Sequence, residues 1–152
     1  MLYNIRGKVP DEEYIVPLGK ADIKKRGKDF TIVAHSRMVH LALEVADELW
    51  KEEKISLEVV DPISLVPLDF ETIVESVKKT GRLITIEEGC LRNGVGAEIS
   101  AQVTESAFDY LDAPIRRIAG FDIPIPASSA LEEAYIPSKQ KIIKTIKETL
   151  CL

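Results

Sequence analysis

At 152 residues, 45% hydrophobic and 30% charged, the chain has the length and composition of one globular domain that can bury its apolar surface without a disulfide or a metal. Its 20 Lys and Arg against 25 Asp and Glu leave a net charge of -5, which argues against a nucleic-acid partner because phosphate backbones require clustered positive charge. No apolar run approaches the ~20 residues of a membrane span, and no membrane role is expected.

Residues 1–20 carry Gly7, Pro10, Pro17 and Gly19 around an acidic Asp11-Glu12-Glu13, without sustained periodicity. They read as a linker or arm leading into a domain over residues 21–152. The opening lacks the basic start and long apolar core of a signal peptide, so the cytosol or an organelle matrix is the expected compartment. A short strand is expected over 21–25 and a turn at Arg26-Gly27-Lys28-Asp29. Next come a buried, β-branched strand over 30–34 and a helix whose apolar stripe is Met38, Leu41, Ala42, Val45 and Leu49, with Ser36 as its cap. A third strand over 54–61 ends at Asp61-Pro62. Asp69 caps a helix with Phe70, Ile73, Val74 and Val77 on one face, closed by Thr80-Gly81 with Lys78 and Lys79 at the negative dipole end.

The fourth strand is read at 82–86, a helix at 95–105, the fifth strand at 115–118, and a last helix carries Ile142, Ile143, Ile146 and Leu150. Phe121-Asp122-Ile123-Pro124-Ile125-Pro126 is too rich in proline for a strand interior. Strands alternating with helices imply parallel pairing through right-handed crossovers, with helices on both faces of the sheet. Acid-rich residues 44–61 and the basic Lys139, Lys141, Lys144 and Lys147 read as solvated helix faces.

Few groups stand out as candidates for chemistry. His35-Ser36-Arg37 lies where a strand hands over to a helix, the edge of an α/β sheet at which ligands bind, so His35 and Arg37 are strand-end pocket candidates. Ser36 has no surrounding G-x-S-x-G and reads as a cap rather than a nucleophile. Cys90 and Cys151 have no CxxC spacing, and His35 and His40 have no carboxylate at ligand spacing, so no metal site is expected. Glu87 and Glu88, adjacent on a strand, should point to opposite faces, one buried or paired and the other exposed. The Gly94-Val95-Gly96 turn opens a helix and could cradle an anion. It lacks the third glycine and the downstream acid of a dinucleotide fingerprint, so a structural role through positive φ or close helix packing is the stronger reading.

Taken in order, several segments resemble the C-terminal domain of the β subunit of thiamine-diphosphate-dependent 2-oxoacid dehydrogenases, most closely the pyruvate dehydrogenase E1 component. They are Val16-Pro17-Leu18-Gly19-Lys20-Ala21, Ala34-His35-Ser36-Arg37, Ser76-Val77-Lys78-Lys79-Thr80, Glu87-Glu88-Gly89 with Gly94-Val95-Gly96-Ala97-Glu98-Ile99, Leu111-Asp112-Ala113-Pro114, Gly120-Phe121-Asp122-Ile123-Pro124-Ile125-Pro126, and Ile136-Pro137. The resemblance spans essentially the whole chain. It implies a three-layer α/β/α domain of the transketolase C-terminal type, with a mixed, mostly parallel five-stranded sheet. It also implies a fragment, severed from a preceding pyrimidine-binding domain and not catalytic alone.

In the intact enzyme that the resemblance implies, thiamine diphosphate and Mg are held outside these residues, largely by the E1 α subunit, and this fragment binds neither. The implied partners are the E1 α subunit, a second E1 β subunit in an α2β2 tetramer, and the subunit-binding domain of the E2 acyltransferase. Carried over by position, the E2-docking anions are Asp112 and the terminal carboxylate of Leu152. Glu88, Gly89, Gly94 and Gly96 fall in a subunit-contact or channel loop. That loop departs from many relatives, which have a large aromatic and a proline where this chain has Cys90-Leu91. The implied reaction is oxidative decarboxylation of pyruvate with acetyl transfer to an E2 lipoyl group, in a bacterial cytosol or in a mitochondrial matrix or plastid. A branched-chain or acetoin-type 2-oxoacid dehydrogenase and a free-standing anion-binding module are the alternatives.

Overall fold

The computed structural model describes residues 6–152, and the first five residues of the expected arm lie outside the described residues. Residues 6–20 contain neither helix nor strand and are almost wholly exposed. Five strands follow: β1 (Asp22–Lys25), β2 (Phe30–Ala34), β3 (Leu57–Asp61), β4 (Leu83–Cys90) and β5 (Arg116–Gly120). Between and after them lie α1 (Arg37–Glu53), α2 (Phe70–Thr80), α3 (Val95–Ala107), α4 (Ser129–Tyr135) and α5 (Lys139–Leu150). The sheet order is β1-β3-β2-β4-β5, with β1 antiparallel to β3 and the other pairs parallel. The mixed, mostly parallel five-stranded sheet that the resemblance implies is the one observed.

Side chains alternate across the sheet and sort into two cores. Phe30, Ile32 and Ala34 of β2, Leu57 and Val59 of β3, and Ile84 and Ile86 of β4 pack against α1 and α5. Val33, Val60 and Leu83 face α2 and α3. All five residues of β2 are buried, because helices cover both sides of a parallel strand. α1 presents Met38, Ala42, Val45, Ala46 and Leu49 on one stripe and ends at Lys54, which takes a left-handed φ of 61°.

Several boundaries shift by one or two residues, and two larger differences have identifiable reasons. β3 begins at Leu57 rather than 54, because Lys54 closes α1 and its N–H donates to Leu49 O. β4 runs on to Cys90 rather than stopping at 86, so Glu87, Glu88 and Gly89 are strand residues and not loop. α4 was not expected, since seven residues are too few for a helical period to show.

The α2 face also buries a polar network. Thr31 Oγ1 lies 2.8 Å from Ser76 Oγ and 2.7 Å from Thr80 Oγ1. Ser76 Oγ donates to Glu58 Oε1 at 2.7 Å, Gly27 N–H donates to Glu58 Oε2 at 3.2 Å, and Lys79 pairs with the same oxygen. Burial pushes the Glu58 carboxyl up, but Lys79, Ser76 and the Gly27 N–H outweigh it and hold it below the ordinary carboxylate value. A folded value below the unfolded one means that this stabilisation is complete above the carboxylate range and is lost as pH falls through the folded value. Glu58→Gln is expected to cost ~1–3 kcal/mol at neutral pH. In urea melts the gap to the unaltered chain should close as the pH drops below about 4.

Candidate functional site

Every helix that follows a parallel strand starts at the sheet edge where strands end and finishes at the edge where they begin, so the two edges differ in chemistry. The strand-end edge carries His35, Arg37 and the 87–96 segment. His35 is partly exposed just beyond β2, with its Nε2 enclosed and unpartnered. Arg37 opens α1 and lines a cleft of about 510 Å³ with Met38 and Leu41 of α1 and Glu132, Glu133 and Lys139 from α4 and α5. His35 and Arg37 lie at the same edge, but of the two only Arg37 lines this cleft.

Ser36 does not cap α1. Its φ of 57° and ψ of -136° depart from the extended geometry in which a cap oxygen reaches the first-turn N–H groups, and its side chain makes no capping bond. Main-chain bonds from Met38 N–H to His35 O at 3.2 Å and from Val39 N–H to Ser36 O at 3.3 Å take that place.

The glycine turn is a closed site. Glu87 is buried, and its carboxylate accepts from Val95 N–H at 2.9 Å and Gly96 N–H at 3.0 Å, the first N–H groups of α3. The anion that a helix N-terminus favours is already supplied by the chain itself. Gly94 and Gly96 serve close approach rather than positive φ: a Cβ on Gly94 would lie 2.5 Å from Glu87 Oε1, and one on Gly96 would lie 2.4 Å from Thr85 Oγ1. Glu88 is partly exposed and Gly89 is exposed, so of the two adjacent glutamates one is buried and hydrogen-bonded and the other reaches solvent. Glu87, which the sequence marks only as one of a pair, is the member that closes the site; its signal is an acid eight residues before the first N–H of the helix.

The divergent Cys90-Leu91 pair is tied to its neighbours. Cys90 Sγ lies 3.4 Å from Tyr135 Oη. That hydrogen bond, followed by burial, pushes the Tyr135 phenol up to about 12. Leu91 N–H donates to Gly120 O at 3.2 Å, Arg117 donates to Leu91 O, and Arg92 N–H donates to Asp122 Oδ1 at 2.9 Å. Nothing in the sequence pattern marked Tyr135 as a partner of Cys90, because the two meet only through α4.

At the opposite edge lie Asp112 and the C-terminal segment. Asp112 is exposed before β5, and its Oδ2 lies 3.6 Å from Arg82 Nη1. A cleft of about 330 Å³ is lined by Asp112, Ala113, Pro114 and Arg116 around the start of β5 and by Glu148, Thr149 and Cys151 at the end of α5. Leu152 follows directly, exposed, with its N–H donating to Lys147 O at 3.0 Å. Residues more than thirty apart in sequence therefore converge on one cleft, Asp112 among them with Glu148, Thr149 and Cys151.

No cluster of three or more His, Cys, Asp or Glu able to hold a metal occurs among the described residues, and no described helix is long and apolar enough to cross a membrane. With the Val95 and Gly96 N–H groups spent on Glu87, the glycine turn does not fit a diphosphate either. Glu87→Gln keeps the shape but removes the charge at the helix start, and is expected to cost ~1–3 kcal/mol in denaturant melts. Millimolar phosphate should leave the Tm of the unaltered chain unchanged; a concentration-dependent rise would mean that the cradle is open.

Residues 19–142 match the family model described as "Transketolase, C-terminal domain". The chain is 49% identical over 97% of its length to the pyruvate dehydrogenase E1 component subunit beta, mitochondrial, of Dictyostelium discoideum, and covers 42% of that protein. It is 46% identical over 97% of its length to the acetoin:2,6-dichlorophenolindophenol oxidoreductase subunit beta of Bacillus subtilis (strain 168), covering 43% of it. A solved split-gene transketolase, described as an inactive beta4 tetramer, superposes with a TM-score of 0.77 at 33% identity, over 95% of this chain and 46% of that one. The chain spans about two fifths of the length of the curated relatives it matches. Both the sequence match and the parallel sheet of the structure lead to one conclusion: the chain belongs to the family of transketolase C-terminal domains.

Proposed function

We propose that this chain is the C-terminal domain of the β subunit of a pyruvate dehydrogenase E1 component, and that its work is assembly and E2 docking. The intact enzyme decarboxylates pyruvate oxidatively with thiamine diphosphate and Mg and passes the acetyl group to a lipoyl arm of E2. The observation that carries the reading is the 49% identity to such a β subunit across 97% of this chain. The convergence of Asp112 and the C-terminal segment on one cleft supports docking there.

In this reading, residues 1–20 are the arm from a pyrimidine-binding domain, and the α subunit and a second β subunit complete an α2β2 tetramer. The compartment is a bacterial cytosol, or a mitochondrial matrix or plastid. In this reading the cofactor's diphosphate and metal are held outside this domain, and its own contribution is electrostatic and geometric. Two anions beside an exposed cleft can pair with Lys or Arg on a basic partner and set its register. Glu88, Gly89, Gly94 and Gly96 then belong to the opposite edge, where Glu87 holds the strand-to-helix turn rigid for a subunit contact.

Titrating the chain with an E2 subunit-binding domain tests the assignment. Binding is expected, and Asp112→Ala should weaken it about tenfold or more, as should deletion of Leu152, which moves the terminal carboxylate back one residue. No binding, or silence of both changes, would refute docking. The 46% identity to the Bacillus acetoin subunit supports a second reading, an acetoin-type dehydrogenase. Full-length β subunit reconstituted with its own α subunit should turn over pyruvate in preference to acetoin; the reverse preference selects the second reading.

A further inference from the structure

Asp112 is exposed, yet its carboxylate is held in a socket. Gly81 closes α2 at a φ of 68°, and a Cβ there would lie 2.3 Å from Asp112 Oδ2 and 3.4 Å from Oδ1. The main chains are joined as well, Asp112 N–H donating to Gly81 O at 2.8 Å. Arg82, the next residue, brings Nη1 to 3.6 Å from the same Oδ2. Its guanidinium is anchored in turn, Nη1 donating to Asp29 O at 3.4 Å and to Thr80 O at 3.5 Å.

We propose that Gly81 and Arg82 are positioning residues for docking: they fix Oδ2 of Asp112 and leave Oδ1 for a cation on the partner. The inference rests on the docking reading above and adds to it the residues that orient the anion. Glycine is required because any side chain at 81 would occupy the space of the carboxylate and because the backbone there is left-handed. Arginine suits the site because two main-chain carbonyls hold its Nη1 in place beside Asp112, whereas a lysine ammonium on its flexible stem is not pre-oriented in this way. Pre-orienting the carboxylate removes ordering cost from the bound state. Arg82 also offsets the negative end of α2, which would otherwise repel an anion at this edge.

The test is a double-mutant cycle on binding of an E2 subunit-binding domain to this chain, at fixed salt, with Tm recorded for each variant. Arg82→Lys keeps the charge, so the potential at Asp112 is maintained and only the geometry changes. It should weaken binding about 3- to 10-fold in the unaltered background and have no effect in the Asp112→Asn background. Gly81→Ala should behave in the same way, beyond any fall in Tm. An equal loss in both backgrounds, or no loss in either, overturns the positioning role while Asp112→Asn still weakens binding. If Asp112→Asn is itself silent, or the unaltered chain does not bind, the docking reading fails and this inference fails with it.

Discussion

The double-sided burial of β2 is the constraint from which the rest of the molecule follows. A strand with parallel neighbours on both sides and apolar cores on both faces can be built only from crossover connections, each carrying a helix back over the sheet. Those crossovers align the helices that follow β2, β3 and β4. One edge of the sheet then gathers helix N-termini and the other gathers C-termini. Chemistry at each edge is shaped by that polarity before any particular side chain is considered.

At the strand-end edge, the polarity invites an anion, and the chain answers with its own. Glu87 occupies the start of α3. The glycines beside it admit the carboxylate rather than a ligand, since a Cβ at either position would collide with Glu87 or Thr85. The result is a rigid strand-to-helix joint. At the other edge the polarity disfavours an anion, and Asp112 is held there through Arg82 and the bare backbone of Gly81. The contrast explains why one acidic residue is buried and the other exposed. Glu87 completes the fold, whereas Asp112 is steadied but left open to solvent.

The docking of α5 follows the same economy of means. Ile142 and Ile146 seat it in the core with α1, while Lys139 meets Glu48 at its start and Lys147 meets Glu53 near its end. The side-chain bond to Glu48 raises the Lys139 ammonium above its ordinary value, and that to Glu53 does the same for Lys147. The helix itself closes at Cys151, which takes a left-handed φ of 59° and donates its N–H back to the last turn. The basic run at 139–147 and the acidic run at 44–61, each read as a solvated face, are in part complementary partners across the α1–α5 seam.

Much of this was legible in the chain itself, because burial imprints a period. The alternation of strand and helix, the two-sided burial of residues 30–34 and the cap at Asp69 are local consequences of side-chain spacing and capping chemistry. The side chain of Asp69 does accept from Thr72 N–H. The unequal burial of Glu87 and Glu88 was legible for the same reason. What the sequence could not decide was long-range or conformational. The strand that runs on to Cys90, the left-handed Ser36 that fails to cap, the seven-residue α4 with Tyr135 against Cys90, and the Gly81-Arg82 socket around Asp112 each depend on groups distant in sequence or on a backbone state without a distinctive residue pattern. Periodicity reports which side of an element is buried; only the packed tertiary structure decides which distant group it is buried against, and so which anion is locked away and which is offered.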